Sequence, residues 1–138
     1  MLNETAFVGD GEAARTGVRG RSIAGDNGIA ITDDLGTAIS GDHGISIAGH
    51  FGYAVAGEAG TASSGRYGTS VAGVGGCARA GVGGAITIAG RDEAGVHYTV
   101  TADIDEEVGP SPNVFYELDG HRLTTVLRQD PLPEPADT

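Results

Sequence analysis

The chain has 138 residues, including 25 glycines, three phenylalanines, four tyrosines, no tryptophan and one cysteine. Nineteen acidic residues against eight basic ones, all arginine, give a formal net charge of −11. This charge disfavours nucleic acid and anionic membranes as partners, because both bind basic surfaces, and it favours a protein partner with a basic surface. The single cysteine excludes an internal disulfide framework.

The N-terminal residues do not have the pattern of a signal peptide. Residues 1–16 contain neither a basic segment nor an apolar run, and no stretch of the chain approaches the roughly 20 apolar residues of a membrane span. We expect a cytoplasmic protein in which residues 1–16 form an N-terminal cap or a first, partial coil. Residues 129–138 are acidic and rich in proline, which predicts a disordered tail.

An eight-residue repeat runs through residues 17–88. The fourth position is glycine in all nine octads, the first is glycine in eight, the sixth is alanine or serine in eight, and the seventh is isoleucine or valine in six. Alternation of branched and small residues is typical of a strand, whereas glycine at this frequency costs a helix about 1 kcal/mol per residue. Each octad is therefore predicted to contain a corner, where glycine supplies positive φ angles and close backbone approach, and a short strand.

Alternate octads resemble each other more than neighbours do, which makes the true repeat sixteen residues. The third position holds Arg19, Leu35, Phe51 and Tyr67 in one set, and Asn27, His43, Ala59 and Gly75 in the other. The sequence thus predicts an all-β fold, a small two-sided parallel β-solenoid in which each 16-residue coil consists of two octads.

The alternation leaves two orientations open for the strands. The favoured one turns the fifth and seventh positions inward, for example Ile29 with Ile31 and Tyr53 with Val55, because these positions carry the branched side chains. Alanine and serine would then form a flat outer face. The opposite orientation would expose a stripe of isoleucine and valine, which would need a partner or a second copy of the chain to cover it.

The octads give way to a different pattern in residues 89–128, where most of the large side chains lie. Two strands with a turn at residues 91–95 are predicted, followed by a hairpin that turns at Asp119–Gly120. We interpret this segment as an antiparallel β cap, containing Phe115 and Tyr116, that covers the open end of the solenoid. Its alternative use is as a recognition module.

Octads rich in glycine, alanine and serine, followed by a hairpin with Pro112, Phe115, Tyr116, Leu118 and Gly120, resemble a group of bacterial and phage-encoded octad-repeat β-solenoid proteins with a C-terminal hairpin cap. The resemblance covers most of the chain. It implies a β-solenoid and a setting in mobile elements or toxin systems, and it implies no particular activity.

Motifs for catalysis or metal binding are not recognisable in the chain. The glycines from Gly73 to Gly84 are followed by no helix pattern, and the chain has no lysine, so they do not predict a phosphate loop. His43 and His50 lie on opposite halves of a coil and would point apart. A calcium-binding solenoid needs aspartate in a nonapeptide, and the period here is eight. We predict no catalytic residues, no metal and no cofactor.

Two rows of side chains are candidates for binding. The acidic ladder has members sixteen residues apart, so they stack along one edge about 4.8 Å from each other. It is either solvated corner charge or an anionic edge that binds a basic surface. The apolar ladder lies on the other half-coil, as a stacked corner or a contact stripe. The acidic ladder consists of Asp10, Asp26, Asp42 and Glu58, and the apolar ladder of Leu35, Phe51 and Tyr67.

Small size, acidity and the absence of catalytic motifs favour a non-enzymatic binding protein. The favoured role is an immunity protein or antitoxin that neutralises a bacterial toxin by protein–protein contact. By analogy only, acidic β-helical rods can imitate the charge pattern of DNA. The alternative is a structural or assembly module, such as a phage or surface-associated spacer or oligomerisation domain, and a homodimer is compatible with either role.

Overall fold

The computed structural model describes residues 5–91, 93–104, 110, 112–119 and 122–125. Within these ranges the chain forms strands joined by short corners, and no helix is present. The strands are β1 (Thr5–Phe7), β2 (Ala13–Arg15), β3 (Arg21–Ile23), β4 (Ile29–Ile31), β5 (Thr37–Ile39), β6 (Ile45–Ile47), β7 (Tyr53–Val55), β8 (Thr61–Ser63), β9 (Thr69–Ala72), β10 (Cys77–Arg79), β11 (Ala85–Arg91), β12 (His97–Asp103), β13 (Tyr116–Asp119) and β14 (Arg122–Thr125).

The strands wind as a two-sided parallel β-solenoid. The first sheet has the order β1-β3-β5-β7-β9-β11-β12, and the second has the order β14-β13-β10-β8-β6-β4-β2. From β1 to β9 each strand pairs in parallel with the strand one coil later, so that Thr5 pairs with Arg21 and Ala30 with Ser46, sixteen residues apart. The predicted fold class and coil length are confirmed.

The interior between the two sheets is lined by the small residues of the octads. The sixth-position residues Ala38, Ser46 and Ala54 are 0% exposed, whereas Tyr53 is 57% exposed. The favoured orientation, with the fifth and seventh positions inward, is therefore wrong. The short corners hold the two sheets so close together that methyl and hydroxymethyl groups fill most of the space, and the branched side chains of the fifth and seventh positions lie on the outer faces. In the last octad the inward positions hold the larger residues Ile86 and Ile88, which are also 0% exposed.

Hydroxyl groups in the interior pair across the two sheets at a spacing of six residues. Ser40 Oγ and Ser46 Oγ are 2.8 Å apart, and Ser46 Oγ donates a hydrogen bond to the carbonyl oxygen of Val55 at 2.6 Å. Such pairs satisfy polar groups that are buried away from water. The same arrangement joins Thr16 with Ser22 and Ser64 with Ser70.

The corners have positive φ at the third position of the octad rather than at the first or fourth. The φ values of Leu35, Phe51 and Ala59 are 62°, 60° and 55°. In each corner the fourth-position amide donates to the first-position carbonyl, as from Gly28 to Gly25 at 3.1 Å, a pattern that matches a type II turn. The expectation that the paired glycines supply the positive φ angles is thus wrong.

The first- and fourth-position glycines are needed because neighbouring atoms leave no room for a Cβ atom. A Cβ at Gly44 would lie 2.6 Å from the Cβ of Ser40 and 3.0 Å from the carbonyl oxygen of Gly28, one coil below. A Cβ at Gly41 would collide with Oδ1 of Asp26. The predicted close approach of backbones is therefore the part of the glycine argument that the structure confirms.

The C-terminal cap extends both sheets with antiparallel strands, as predicted. β12 runs antiparallel to β11, and β13 pairs with β10 at Tyr116 and Ala78 before β14 continues the second sheet. Phe115 and Tyr116 are buried, and the guanidinium carbon of Arg79 lies 4.7 Å from the ring centroid of Phe115. These two residues therefore contribute to the packing of the cap. Gly120 of the predicted turn and the predicted tail, residues 129–138, lie outside the described residues.

The interior contains one buried hydroxyl without a hydrogen-bond partner among the described residues, that of Thr32. The position six residues later is Ala38, which has no hydroxyl. We expect Ala38→Ser to raise the unfolding free energy by about 1 kcal/mol, because the new hydroxyl can bond to both Thr32 and the carbonyl oxygen of Ile47. Urea denaturation measures the change.

The matched control is Ala54→Ser, because the residue six positions before Ala54 is Ala48 and offers no hydroxyl. A gain in stability from Ala54→Ser that equals the gain from Ala38→Ser would show that the pairing with Thr32 contributes nothing.

Candidate binding edges and faces

The acidic ladder lies along the corners that lead from the first sheet to the second, and its members are bonded to each other. Oδ1 of Asp10 accepts a hydrogen bond from the backbone N–H of Asp26 at 2.9 Å. The same bond runs from Asp42 N–H to Asp26, and from Glu58 N–H to Asp42, each at 2.9 Å. All four residues are exposed. The backbone therefore fixes the position of each aspartate carboxylate in this row.

The bonding chain of the acidic ladder ends at Glu58. The carboxylate of Glu58 lies 3.7 Å from a guanidinium nitrogen of Arg91, and both side chains are about half exposed to solvent. The next residue in the row is Val74, whose side chain has no oxygen that could accept a hydrogen bond. The row thus presents three aspartates and one glutamate, and Arg91 of the cap approaches its last member.

The opposite corners carry a second bonded row that the sequence patterns did not predict. Oδ1 of Asp34 accepts a hydrogen bond from the N–H of His50 at 2.9 Å, and Nδ1 of His50 accepts one from the N–H of Arg66 at 2.9 Å. Nδ1 of His50 thus takes the acceptor role in this row that a carboxylate oxygen takes in the acidic ladder. We call Asp34, His50 and Arg66 the mixed ladder. They share the second position of the octad but no side-chain chemistry, so only the sixteen-residue spacing could have revealed them.

The apolar ladder lies beside the mixed ladder and stacks along the solenoid. Leu35, Phe51 and Tyr67 are 49%, 55% and 58% exposed. The rings of Phe51 and Tyr67 are nearly parallel, at 16°, with centroids 5.2 Å apart. The other face of Tyr67 covers Gly83, where a Cβ would lie 2.5 Å from the ring. The aromatic side chains of the apolar ladder therefore stack on each other. The use of the apolar ladder as a contact stripe stays a prediction.

The apolar and mixed ladders together line an open groove of about 450 Å³ along this edge. One wall is apolar and the other holds a carboxylate, an imidazole and a guanidinium. The carboxylate of Asp34 and the guanidinium of Arg66 give this wall charges of both signs, so this edge lacks the single sign of charge that the acidic ladder presents.

The outer faces of the two sheets differ in burial. On the second sheet Ile31, Ile47 and Ser63 are 6%, 1% and 3% exposed. On the first sheet the corresponding residues Ile39 and Val55 are only partly buried. Two in-register rows cross the first sheet on this side. The fifth-position row contains Thr5, Arg21, Thr37, Tyr53 and Thr69, and the seventh-position row contains Phe7, Ile23, Ile39, Val55 and Val71.

A candidate metal centre is absent from the part of the chain that the structure describes. No group of three or more His, Cys, Asp or Glu side chains in these ranges is placed to hold a metal ion. His43 lies in a corner of the acidic edge and His50 in the mixed ladder on the other edge. In the same ranges no helix has the length and hydropathy needed to cross a membrane. Comparison with known proteins finds no match among family models, curated proteins or solved structures.

The bonds within the acidic ladder predict different effects for two substitutions of Asp26. Asp26→Ala removes the acceptor for the N–H of Asp42 and should lower the unfolding free energy by about 1 kcal/mol. Asp26→Asn keeps an Oδ1 acceptor, so its unfolding free energy should stay within about 0.5 kcal/mol of the original protein. Urea denaturation of the two variants measures the difference.

Glu93→Ala serves as the control, because it also removes one exposed acid, in the turn between β11 and β12. An equal effect of Asp26→Ala and Asp26→Asn would contradict a structural role for the carboxylate oxygen.

Proposed function

We propose that the protein is a non-enzymatic acidic binding protein that engages a basic surface of a partner protein through its acidic ladder, as an immunity protein or antitoxin does with its toxin. One observation carries this proposal: three backbone N–H groups hold Asp10, Asp26 and Asp42 in register beside Glu58. A charged row that is already fixed loses little conformational entropy when it binds.

The charge density of the ladder supports a basic partner. Four carboxylates stand within roughly 15 Å of each other at the spacing of stacked strands. Because neighbouring charges lie closer than the Debye length of about 8 Å at physiological salt, their fields add along the edge. A toxin that acts on nucleic acid is a fitting partner, since its substrate site is itself basic.

A second candidate function, a structural or assembly module, is favoured by a different observation. The outer face of the first sheet presents Tyr53 at 57% exposure and Phe7 at 71% exposure beside a row of isoleucine and valine. Such a surface suits contact between subunits or with a scaffold. The two candidates use different surfaces and can be tested separately.

The test of the proposed function uses the product of the adjacent reading frame as the partner. We expect the triple variant Asp26→Asn, Asp42→Asn and Glu58→Gln to bind it at least about tenfold more weakly by calorimetry, because charge is lost while hydrogen-bond acceptors remain. The affinity of the original protein should fall between about 50 mM and about 300 mM NaCl, because salt screens exposed charges.

The matched control removes three exposed acids elsewhere, as Glu93→Gln, Asp103→Asn and Glu117→Gln, and changes the net charge equally. Equal weakening by both triple variants would show that net charge alone matters. Unchanged affinity in the ladder variant would contradict the proposed function.

A further inference from the structure

We infer that the outer face of the first sheet is a contact surface between two copies of this chain. The face consists of the fifth- and seventh-position residues of β1, β3, β5, β7, β9 and β11. This inference goes beyond the proposed function, because the acidic ladder lies on the adjoining edge and stays free for another partner.

The composition of the face is the first reason. The seventh-position row runs from Phe7 through branched side chains to Val71 in unbroken register. Tyr53 projects from the fifth-position row, 57% exposed, and the exposed apolar ladder adjoins that row at the corner. Contiguous apolar surface of this kind is typical of contact sites rather than of free protein surface.

Charge indicates which partner fits this face. From β1 to β11 the outward positions of this face hold no acidic residue, and the charged residues at these positions are Arg21 and Arg91. A basic partner gains nothing here and is drawn to the acidic ladder instead. A second copy, itself at −11, is repelled by the acidic edge but can meet this face without placing carboxylates opposite each other.

The second sheet does not offer an equivalent surface. Its outward residues Ile31, Ile47 and Thr61 are 6%, 1% and 8% exposed, so little apolar area remains there for a partner. A two-fold axis in the plane of the contact would therefore bring first sheet against first sheet. Such an interface is isologous, with the same two rows on both sides.

The size of the face sets the strength of the contact. Six strands, each occupying about 4.8 Å of the sheet, cover roughly 29 Å, and with the apolar ladder the face is about 17 Å wide, or roughly 500 Å² per copy. The total of about 1,000 Å² is at the lower end for specific interfaces. We therefore expect a reversible dimer with micromolar affinity rather than an obligate one.

Sedimentation velocity on the full chain from about 5 µM to about 500 µM, across the range of micromolar dissociation constants, tests the inference. The mass should rise from 13.8 kDa toward twice that value as concentration increases. Added salt should strengthen the dimer, because it screens repulsion between two acidic chains. This is the opposite of the salt effect expected at the acidic ladder, so failure of one proposal is distinguishable from failure of the other.

Two variants locate the contact on the first sheet. Val55→Glu places an acid in the seventh-position row and should give a monomer throughout the concentration range. Tyr53→Thr reproduces its row neighbours Thr37 and Thr69, so it keeps the fold, and it should raise the dissociation constant by about tenfold. Circular dichroism checks that each variant is folded. Asn27→Asp is the control, because it adds one acid at a corner that lies off the face. Aspartate, like asparagine, tolerates the positive φ of this position, so the variant should keep the fold.

Three results would overturn the inference. The original protein could remain a monomer at the highest concentration, in low and in high salt. Folded Tyr53→Thr could dimerise as the original protein does, which would place the contact on another surface. Asn27→Asp could abolish the dimer as completely as Val55→Glu, which would reduce the effect to net charge.

Discussion

The distance between the two sheets is the constraint on which the rest of the structure depends. Sixth-position residues such as Ala38 and Ala54 are fully buried between the sheets, and at corners such as Gly44 a Cβ atom would collide with the coil below. The narrow interior is filled mainly by small side chains, with Ile86 and Ile88 of the last octad as larger ones beside the cap, so it gains little from hydrophobic burial per residue. The isoleucines and valines of the fifth and seventh positions lie on the outer faces, and the surface properties of the molecule follow from this.

The same geometry forces strained backbone angles at the edges of the solenoid and brings successive corners close enough to form hydrogen bonds with each other. Non-glycine residues such as Phe51 and Ala59 have φ near 60° at the third position, a conformation that costs of the order of 1 kcal/mol. Bonds between successive coils offset this cost, among them the bond from the N–H of Asp42 to the carboxylate of Asp26. The acidic ladder is therefore part of the scaffold as well as the surface proposed to bind a partner, which accounts for the recurrence of aspartate along one edge.

The coil length, the two sheets and the antiparallel cap could be predicted because glycine spacing and alternation report directly on corners and strands. The inward face could not, since ranking side chains by hydrophobicity ignores how far apart the sheets stand. A usable signal was present in the six-residue spacing of Ser40 and Ser46, because buried hydroxyls need partners. The bond between Asp34 and His50 was missed because those residues share a position and no chemistry. The binding role of the acidic ladder stays a prediction.

Thiol accessibility tests the central claim, that small residues face inward and larger ones outward. In a Cys77→Ser background, cysteine would replace either Tyr53 or its neighbour Ala54, which are 57% and 0% exposed, and a thiol reagent would be added to the dilute native protein. The account predicts that the Tyr53→Cys thiol reacts at once and that the Ala54→Cys thiol reacts only when the chain unfolds. Rapid labelling of Ala54→Cys with protection of Tyr53→Cys would contradict it.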